Sequence, residues 1–138
     1  MPFIMGLAYK QFRTRANQLL VTEFDLTLEM LGVLRTLHHL GEVPQQALSE
    51  ALYRERSVIK RLVDNCIKRE LVIAGKKAAN QKARYISLTS KGLDTKTAAD
   101  GRLQQVISEF FSPLLPDEQE QLLSLCKKLV QNGVTTEF

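Results

Sequence analysis

The sequence lacks the marks of secreted, membrane-spanning and catalytic proteins. It has no tryptophan and only two cysteines, Cys66 and Cys126, which are too few for a disulfide framework and fit a reducing compartment. No apolar run approaches the roughly 18 residues that would span a bilayer. Residues 1–7 lack the basic start and the small-residue cleavage site of a signal peptide. We therefore expect a cytoplasmic protein without a membrane partner.

No residue pattern indicates catalysis or a cofactor. The sequence has no Ser-His-Asp set, no paired-carboxylate motif and no phosphate-binding glycine loop, so we expect neither an enzyme nor a bound cofactor. His38 and His39 are adjacent and would point about 100° apart on a helix, so they cannot share one metal ion. Cys66 lies on an apolar stripe, where cysteine is usually a small core residue. A metal- or thiol-dependent sensor is thus the weakest of the hypotheses considered.

Acidic residues are scarce in one third of the chain. From Arg54 to Lys91 there are eleven Lys/Arg and three acids, which gives this stretch a net charge of +8, whereas the rest of the 138 residues carries −4. Leu71 to Leu93 contains no acid at all. Such a concentrated basic segment is typical of a surface that binds a polyanion.

Apolar periodicity predicts a mainly α fold with a small β hairpin. The helices are expected over residues 2–23, from Thr27 to Gly41, over 45–52, over 55–69, from Thr89 or Ser90 to 111, and from Pro116 onward. Between the fourth and fifth helices the period changes to about two in residues 71–73 and 84–88, which indicates a hairpin with a basic turn.

The basic amphipathic helix and the hairpin behind it predict a DNA-binding surface. Ile59, Leu62 and Val63 would anchor the helix, whose opposite face would enter the major groove. The predicted DNA contacts in this helix are Arg56, Ser57, Lys60 and Arg61. Those in the hairpin are Lys76, Lys77, Lys82 and Arg84. Arg56 and Lys60 could equally hold phosphates, which set register but not sequence.

Several motifs resemble the winged-helix core of the MarR/SlyA family of bacterial transcriptional regulators. They are Leu26-Thr27-Leu28 with Val33-Leu34, Leu48-Ser49-Glu50-Ala51-Leu52, Arg56 to Asp64, Ile86-Ser87-Leu88-Thr89-Ser90-Lys91-Gly92, and Leu114 to Leu122. The resemblance covers nearly the whole chain and is most specific from Leu26 to Gly92.

The resemblance implies one domain over residues 1–138. Its winged helix-turn-helix core would occupy about 26–92, and residues 1–24 and 93–138 would supply dimerisation helices. It further implies a homodimer on double-stranded DNA and regulation by a small aromatic anion. We expect a repressor rather than an activator, bound to a pseudo-palindromic operator with half-sites about 10 bp apart.

The sequence departs from the family at two positions of interest. The family's wing usually carries an Asp-Arg pair where this chain has Asn80 and Gln81, and a neutral glutamine cannot replace the arginine in a minor groove. Glu70 stands where the family often has glycine, which costs roughly 1 kcal/mol if the backbone there is left-handed. The neutral wing motivates an alternative function, namely a winged-helix protein-interaction module or antagonist with weak DNA binding.

Overall fold

The computed structural model describes the backbone of residues 1–77 and 80–130 and the side chains of residues 1–75 and 84–130. Its elements are α1 (Pro2–Phe24), α2 (Leu28–Leu40), β1 (Val43–Pro44), α3 (Gln45–Leu52), α4 (Arg56–Lys68), β2 (Val72–Lys77), β3 (Asn80–Leu88), α5 (Ser90–Phe111) and α6 (Pro116–Leu129). This mainly α architecture with a small antiparallel sheet confirms the predicted winged helix-turn-helix fold class. Among the described residues, no helix is long and apolar enough to cross a membrane.

Two threonines begin helices at the positions that the sequence predicts. The Thr27 hydroxyl accepts a hydrogen bond from the Met30 amide at 3.2 Å, and the Thr89 hydroxyl accepts one from the Gly92 amide at 2.9 Å. Each hydroxyl satisfies an amide that has no partner within its own helix. At the other end of α2, Gly41 has a φ of 78°, a conformation that glycine adopts without a steric penalty.

The end of α4 contains the left-handed residue that the sequence analysis anticipated. Glu70 has a φ of 61°, and the Leu71 amide donates to the Cys66 carbonyl at 3.0 Å, which closes the helix. A non-glycine residue in this region costs roughly 1 kcal/mol. The helix therefore stops at the base of the sheet at some energetic cost.

The sheet has three strands, one more than the hairpin predicted from the sequence. The order is β1-β3-β2, and β1 pairs antiparallel with β3 through Val43 opposite Ile86 and Pro44 opposite Tyr85. A strand of two residues has no periodicity to detect, so the sequence analysis missed it. Because Pro44 has no amide hydrogen, it is tolerated in such an edge strand.

The hydrophobic core is centred on α2, whose inward stripe includes Leu31, Leu34 and Leu37. These side chains pack with buried residues of α1, α4, the sheet and α5. The other core members include Ala16, Leu20, Leu48, Ile59, Leu62, Val63, Cys66, Val72, Ile86, Ala99 and Leu103. The core thus holds α4 by one stripe only and leaves its opposite side free.

Gly92 allows the first turn of α5 to lie directly against the end of α4. A Cβ atom at this position would overlap the carbonyl oxygen of Leu71 and come within 3.1 Å of a Leu88 methyl group. The same carbonyl accepts a hydrogen bond from the Thr89 amide at 3.1 Å, so the backbone has little room to retreat. Glycine is therefore required here for close packing.

We predict that Gly92→Ala lowers the free energy of unfolding by about 3 kcal/mol, because the added methyl group overpacks a fixed backbone contact. The control is Gly101→Ala in the same helix, where an added Cβ meets no described atom within 4 Å. It should raise the free energy of unfolding by roughly 0.5–1 kcal/mol. Equal effects of both variants in urea denaturation would contradict the close approach.

Candidate nucleic-acid interface

α4 is anchored by one face and exposed on the other. Ile59, Leu62, Val63 and Cys66 are buried and recur at helical spacing, so they hold the helix against the core. Burying four such side chains fixes both the rotation and the depth of the helix. The opposite face is consequently presented to solvent in a defined orientation.

The four predicted contacts in α4 all lie on the exposed side. Arg56, Ser57, Lys60 and Arg61 are exposed and occupy the first half of the helix. Arg56 and Arg61 have no hydrogen-bond or ion-pair partner among the described residues. Their guanidinium groups are thus available as donors, and the structure brings these predicted site residues together on one surface.

Arg84 lies beside this surface, in contact with α4 and α3. One of its terminal nitrogens is 3.2 Å from Asp64 Oδ1, and the other donates to Gln45 Oε1 at 3.1 Å. Asp64 also accepts a hydrogen bond from the Lys60 ammonium at 2.8 Å, so two predicted DNA contacts share one carboxylate. The sequence analysis did not foresee this link, because Arg84 and Asp64 are twenty residues apart.

The charge on Asp64 is favoured by these partners. The hydrogen bond from Lys60 lowers the pKa of the Asp64 carboxyl, and Arg84 lowers it further, although partial desolvation opposes both. The carboxylate is therefore ionised at neutral pH and both ion pairs are present. Its stabilising contribution is present above the ordinary pKa of an aspartate and is lost as the pH falls through the lowered value.

The remaining predicted contacts lie in the hairpin. The backbone of Lys76 and Lys77 belongs to β2, and that of Lys82 to β3. Their side chains, with those of Asn80 and Gln81, lie outside the described residues. Their role as DNA contacts therefore stays a prediction from the sequence.

Arg69 fastens the end of α4 to the corner between α1 and α2. Its Nε atom donates to the Asp25 carbonyl at 2.8 Å and to the Asp25 carboxylate at 3.1 Å, and a terminal nitrogen donates to the Asn65 carbonyl at 3.0 Å. Asp25 itself is left-handed, with a φ of 51°. This basic residue positions the helix within the chain.

A cavity of about 360 Å³ lies between the long helices and the helix-turn-helix core. Its walls are mostly apolar, and its charged lining residues are Glu29, Arg35 and Arg54. Arg54 is 3.5 Å from Glu29, and Arg35 is 3.5 Å from Asp100 on α5. The apolar lining consists of Tyr9, Phe12, Leu28, Leu31, Gly32, Leu52, Leu62, Leu103, Ile107 and Phe111. Because five helices contribute, the sequence alone did not identify the residues that line this cavity.

Two terminal segments expose apolar side chains. At the start of α1, Phe3 is 91% exposed and Ile4 is 60% exposed. α6 buries none of its residues, and Leu125 and Leu129 on its apolar stripe are 57% and 65% exposed. Large exposed apolar patches are typical of sites where another molecule binds.

Cys66 lacks the environment of a redox centre. Burial raises the pKa of the Cys66 thiol to about 12, despite a smaller opposing effect of Arg69, so this thiol is protonated at neutral pH. A redox sensor needs an accessible thiolate.

Cys126 is a free, half-buried cysteine on α6. No group of three or more His, Cys, Asp or Glu residues that could hold a metal ion occurs among the described residues.

The fold and the exposed basic helix define a winged helix-turn-helix protein with long flanking helices. Comparison with known proteins shows which family this architecture resembles. No protein-family profile matches the chain. In sequence, the chain is 28% identical to the transcriptional regulator HosA of Escherichia coli O127:H6 over 106 aligned residues. The aligned segment covers 77% of this chain and 78% of HosA.

Solved structures give the same result for the fold. A variant of MarR from E. coli in complex with operator DNA superposes with a TM-score of 0.84 at 17% identity, over 94% of this chain and 93% of that one. BpsR of Bordetella bronchiseptica, whose DNA binding is regulated by 6-hydroxynicotinic acid, superposes with a TM-score of 0.82 at 18% identity, over 93% and 96% of the two chains. These superpositions confirm the predicted winged-helix fold with long flanking helices, and the sequence comparison shows similarity to a transcriptional regulator.

Proposed function

We propose that this chain is a sequence-specific regulator of transcription that binds double-stranded DNA as a homodimer in the cytoplasm. The observation that carries the proposal is the exposed face of α4, where Arg56, Ser57, Lys60 and Arg61 lie opposite a buried apolar stripe. A helix anchored in this way fits the major groove and offers donors to base edges and phosphates. The relatives support the proposal, because HosA is a transcriptional regulator and the MarR variant is bound to operator DNA.

The proposed unit is a single domain over residues 1–138. The core at 26–92 would contact DNA, whereas the helices in 1–24 and 93–138 would join two copies. Two recognition helices would then enter successive major grooves, with half-sites about 10 bp apart. A dimer that covers both grooves excludes other proteins from that DNA, which is why we propose repression.

We predict that the affinity for duplex DNA falls steeply with salt, because each phosphate contact contributes about 0.9 to the slope of log K against log salt. Arg61→Ala should cost about 1–3 kcal/mol on an operator selected from random duplexes and less on a scrambled duplex. Fluorescence anisotropy titrations at several salt concentrations would measure both quantities.

The matched control for Arg61→Ala is Lys128→Ala, which removes the same charge from an exposed position on α6 outside its apolar stripe. It should leave sequence discrimination unchanged. Stable dimers whose affinity for duplex DNA is unmeasurable at low salt would overturn the proposal. That result would favour a winged-helix module that acts through protein contacts.

The exposed apolar residues of α1 and α6 support the homodimer. We predict that the wild-type protein has twice the 15.6 kDa mass of one chain in sedimentation equilibrium. Leu125→Glu combined with Leu129→Glu should weaken association at least about tenfold, since charges are costly at a buried apolar contact. Ser124→Glu, which adds a charge at an exposed position outside the apolar stripe of the same helix, serves as the control. A monomeric wild-type protein at micromolar concentration would argue against the dimer.

The cavity between the long helices and the core supports regulation by a small aromatic anion. Its apolar walls suit an aromatic ring, and Arg35 and Arg54, each of which is also paired with a carboxylate of the chain, would supply guanidinium donors to an anion. A ligand that spreads the two recognition helices would lower DNA affinity, and DNA would lower ligand affinity by the same factor.

We predict that 6-hydroxynicotinic acid, used as a probe, binds this cavity and lowers affinity for the selected operator. Gly32→Met should weaken the probe about tenfold, or about 1.4 kcal/mol, because the methionine side chain occupies space that the ring would otherwise fill. The Gly32 backbone leaves room for a side chain, because the nearest described atom to an added Cβ is 4.0 Å away. Calorimetry would measure binding, with Gly101→Met as the control. Equal probe affinity in all three proteins would place any binding elsewhere.

A further inference from the structure

A single carboxylate lies among the basic groups of α4. Asp64 is the only acidic residue between Arg56 and Lys68. Its Oδ2 atom accepts a hydrogen bond from Lys60 Nζ at 2.8 Å, and its Oδ1 atom is 3.2 Å from a terminal nitrogen of Arg84. A carboxylate on a surface that faces DNA repels phosphates and weakens binding. Its position there suggests a function that offsets this loss of affinity.

The contacts of Asp64 and its partner Arg84 connect three elements of the winged helix-turn-helix: α4, β3 and α3. Asp64 and Lys60 belong to α4, and Arg84 belongs to β3 at the base of the wing. Arg84 in turn donates to Gln45 Oε1, on the first residue of α3, at 3.1 Å. The side chains of Asp64 and Arg84 are 35% and 38% exposed, so a duplex lying against α4 can still reach them.

The basic surface therefore contains two kinds of cation. Lys60 and Arg84 are compensated by Asp64 and held in place by it. Arg56 and Arg61 have no partner among the described residues and can turn toward a base edge or a phosphate. Because phosphate attraction is independent of sequence, a cation released from its carboxylate adds to the affinity for every duplex alike.

We propose that Asp64 is a positioning residue that raises sequence discrimination by holding the Lys60 ammonium and the Arg84 guanidinium at fixed places. The inference rests on the proposed DNA binding. A donor held at one position matches only the base edge or phosphate that lies opposite it. The carboxylate also cancels part of the attraction that these two cations would otherwise exert on any phosphate backbone.

The test is Asp64→Asn, which keeps the shape of the side chain and removes its charge. Affinity for a scrambled duplex should rise about three- to tenfold, and the slope of log K against log salt should steepen by about one, since roughly one more cation becomes available. Affinity for the operator selected with the wild-type protein should not rise in proportion. The ratio of operator affinity to scrambled-duplex affinity, which measures sequence discrimination, should therefore fall.

Asp94→Asn provides the matched control, since Asp94 is an exposed residue of α5 and the change in net charge is the same. It should leave the ratio and the slope unchanged. Asp64→Glu, which retains the charge, should restore most of the discrimination. A merely structural role of Asp64 would lower both affinities together without steepening the slope.

A second variant covers the case in which Asp64→Asn unfolds, as judged by circular dichroism. Lys60→Gln leaves Asp64 paired with Arg84 but removes one positive charge, so it should lower the affinity for the scrambled duplex about three- to tenfold and the affinity for the operator by more. If Asp64→Asn is folded and matches Asp94→Asn in ratio and slope, or if Lys60→Gln keeps full discrimination, the inference is wrong. A wild-type protein that binds no duplex would instead overturn the proposed function itself.

Discussion

The burial of one apolar stripe of α4 is the constraint on which the rest of the structure depends. Ile59, Leu62, Val63 and Cys66 fit the core only in one rotation of the helix, and that rotation places Arg56 and Arg61 in solvent. The same side chains are part of the core centred on α2, so the orientation of the basic face is coupled to the stability of the domain. A helix with the same charges but a weaker stripe would present no defined surface to a duplex.

Most of the architecture could be predicted because its signals are local. The hydroxyls of Thr27 and Thr89 cap helices whose apolar residues recur at a period of 3.6, and Gly41 ends a helix in a conformation that suits glycine. The helix predicted over 55–69 differs by one residue at each end from Arg56–Lys68, since capping residues lie at the border of a helix. The predicted contacts in α4 fall on one face for the same local reason.

The features that the sequence did not reveal depend on residues distant in the chain. The strand Val43–Pro44 exists only because β3 offers a partner for it. The pairing of Arg84 with Asp64 requires the hairpin to fold back onto α4, which no local pattern specifies. The cavity likewise takes its walls from five helices, and its charged groups come from α2 and from the residues between α3 and α4.

The corner between α1 and α2 has a mechanical consequence. Arg102 of α5 donates two hydrogen bonds to the Glu23 carboxylate, one from Nε at 2.8 Å and one from a terminal nitrogen at 3.0 Å. Two residues later, Asp25 accepts a hydrogen bond from Arg69 at the end of α4. These contacts link α1, α5 and the end of α4 through residues 23–25. A change in the inclination of α1 relative to α5 would therefore be passed on through this corner to α4, and with it the direction in which the basic face points.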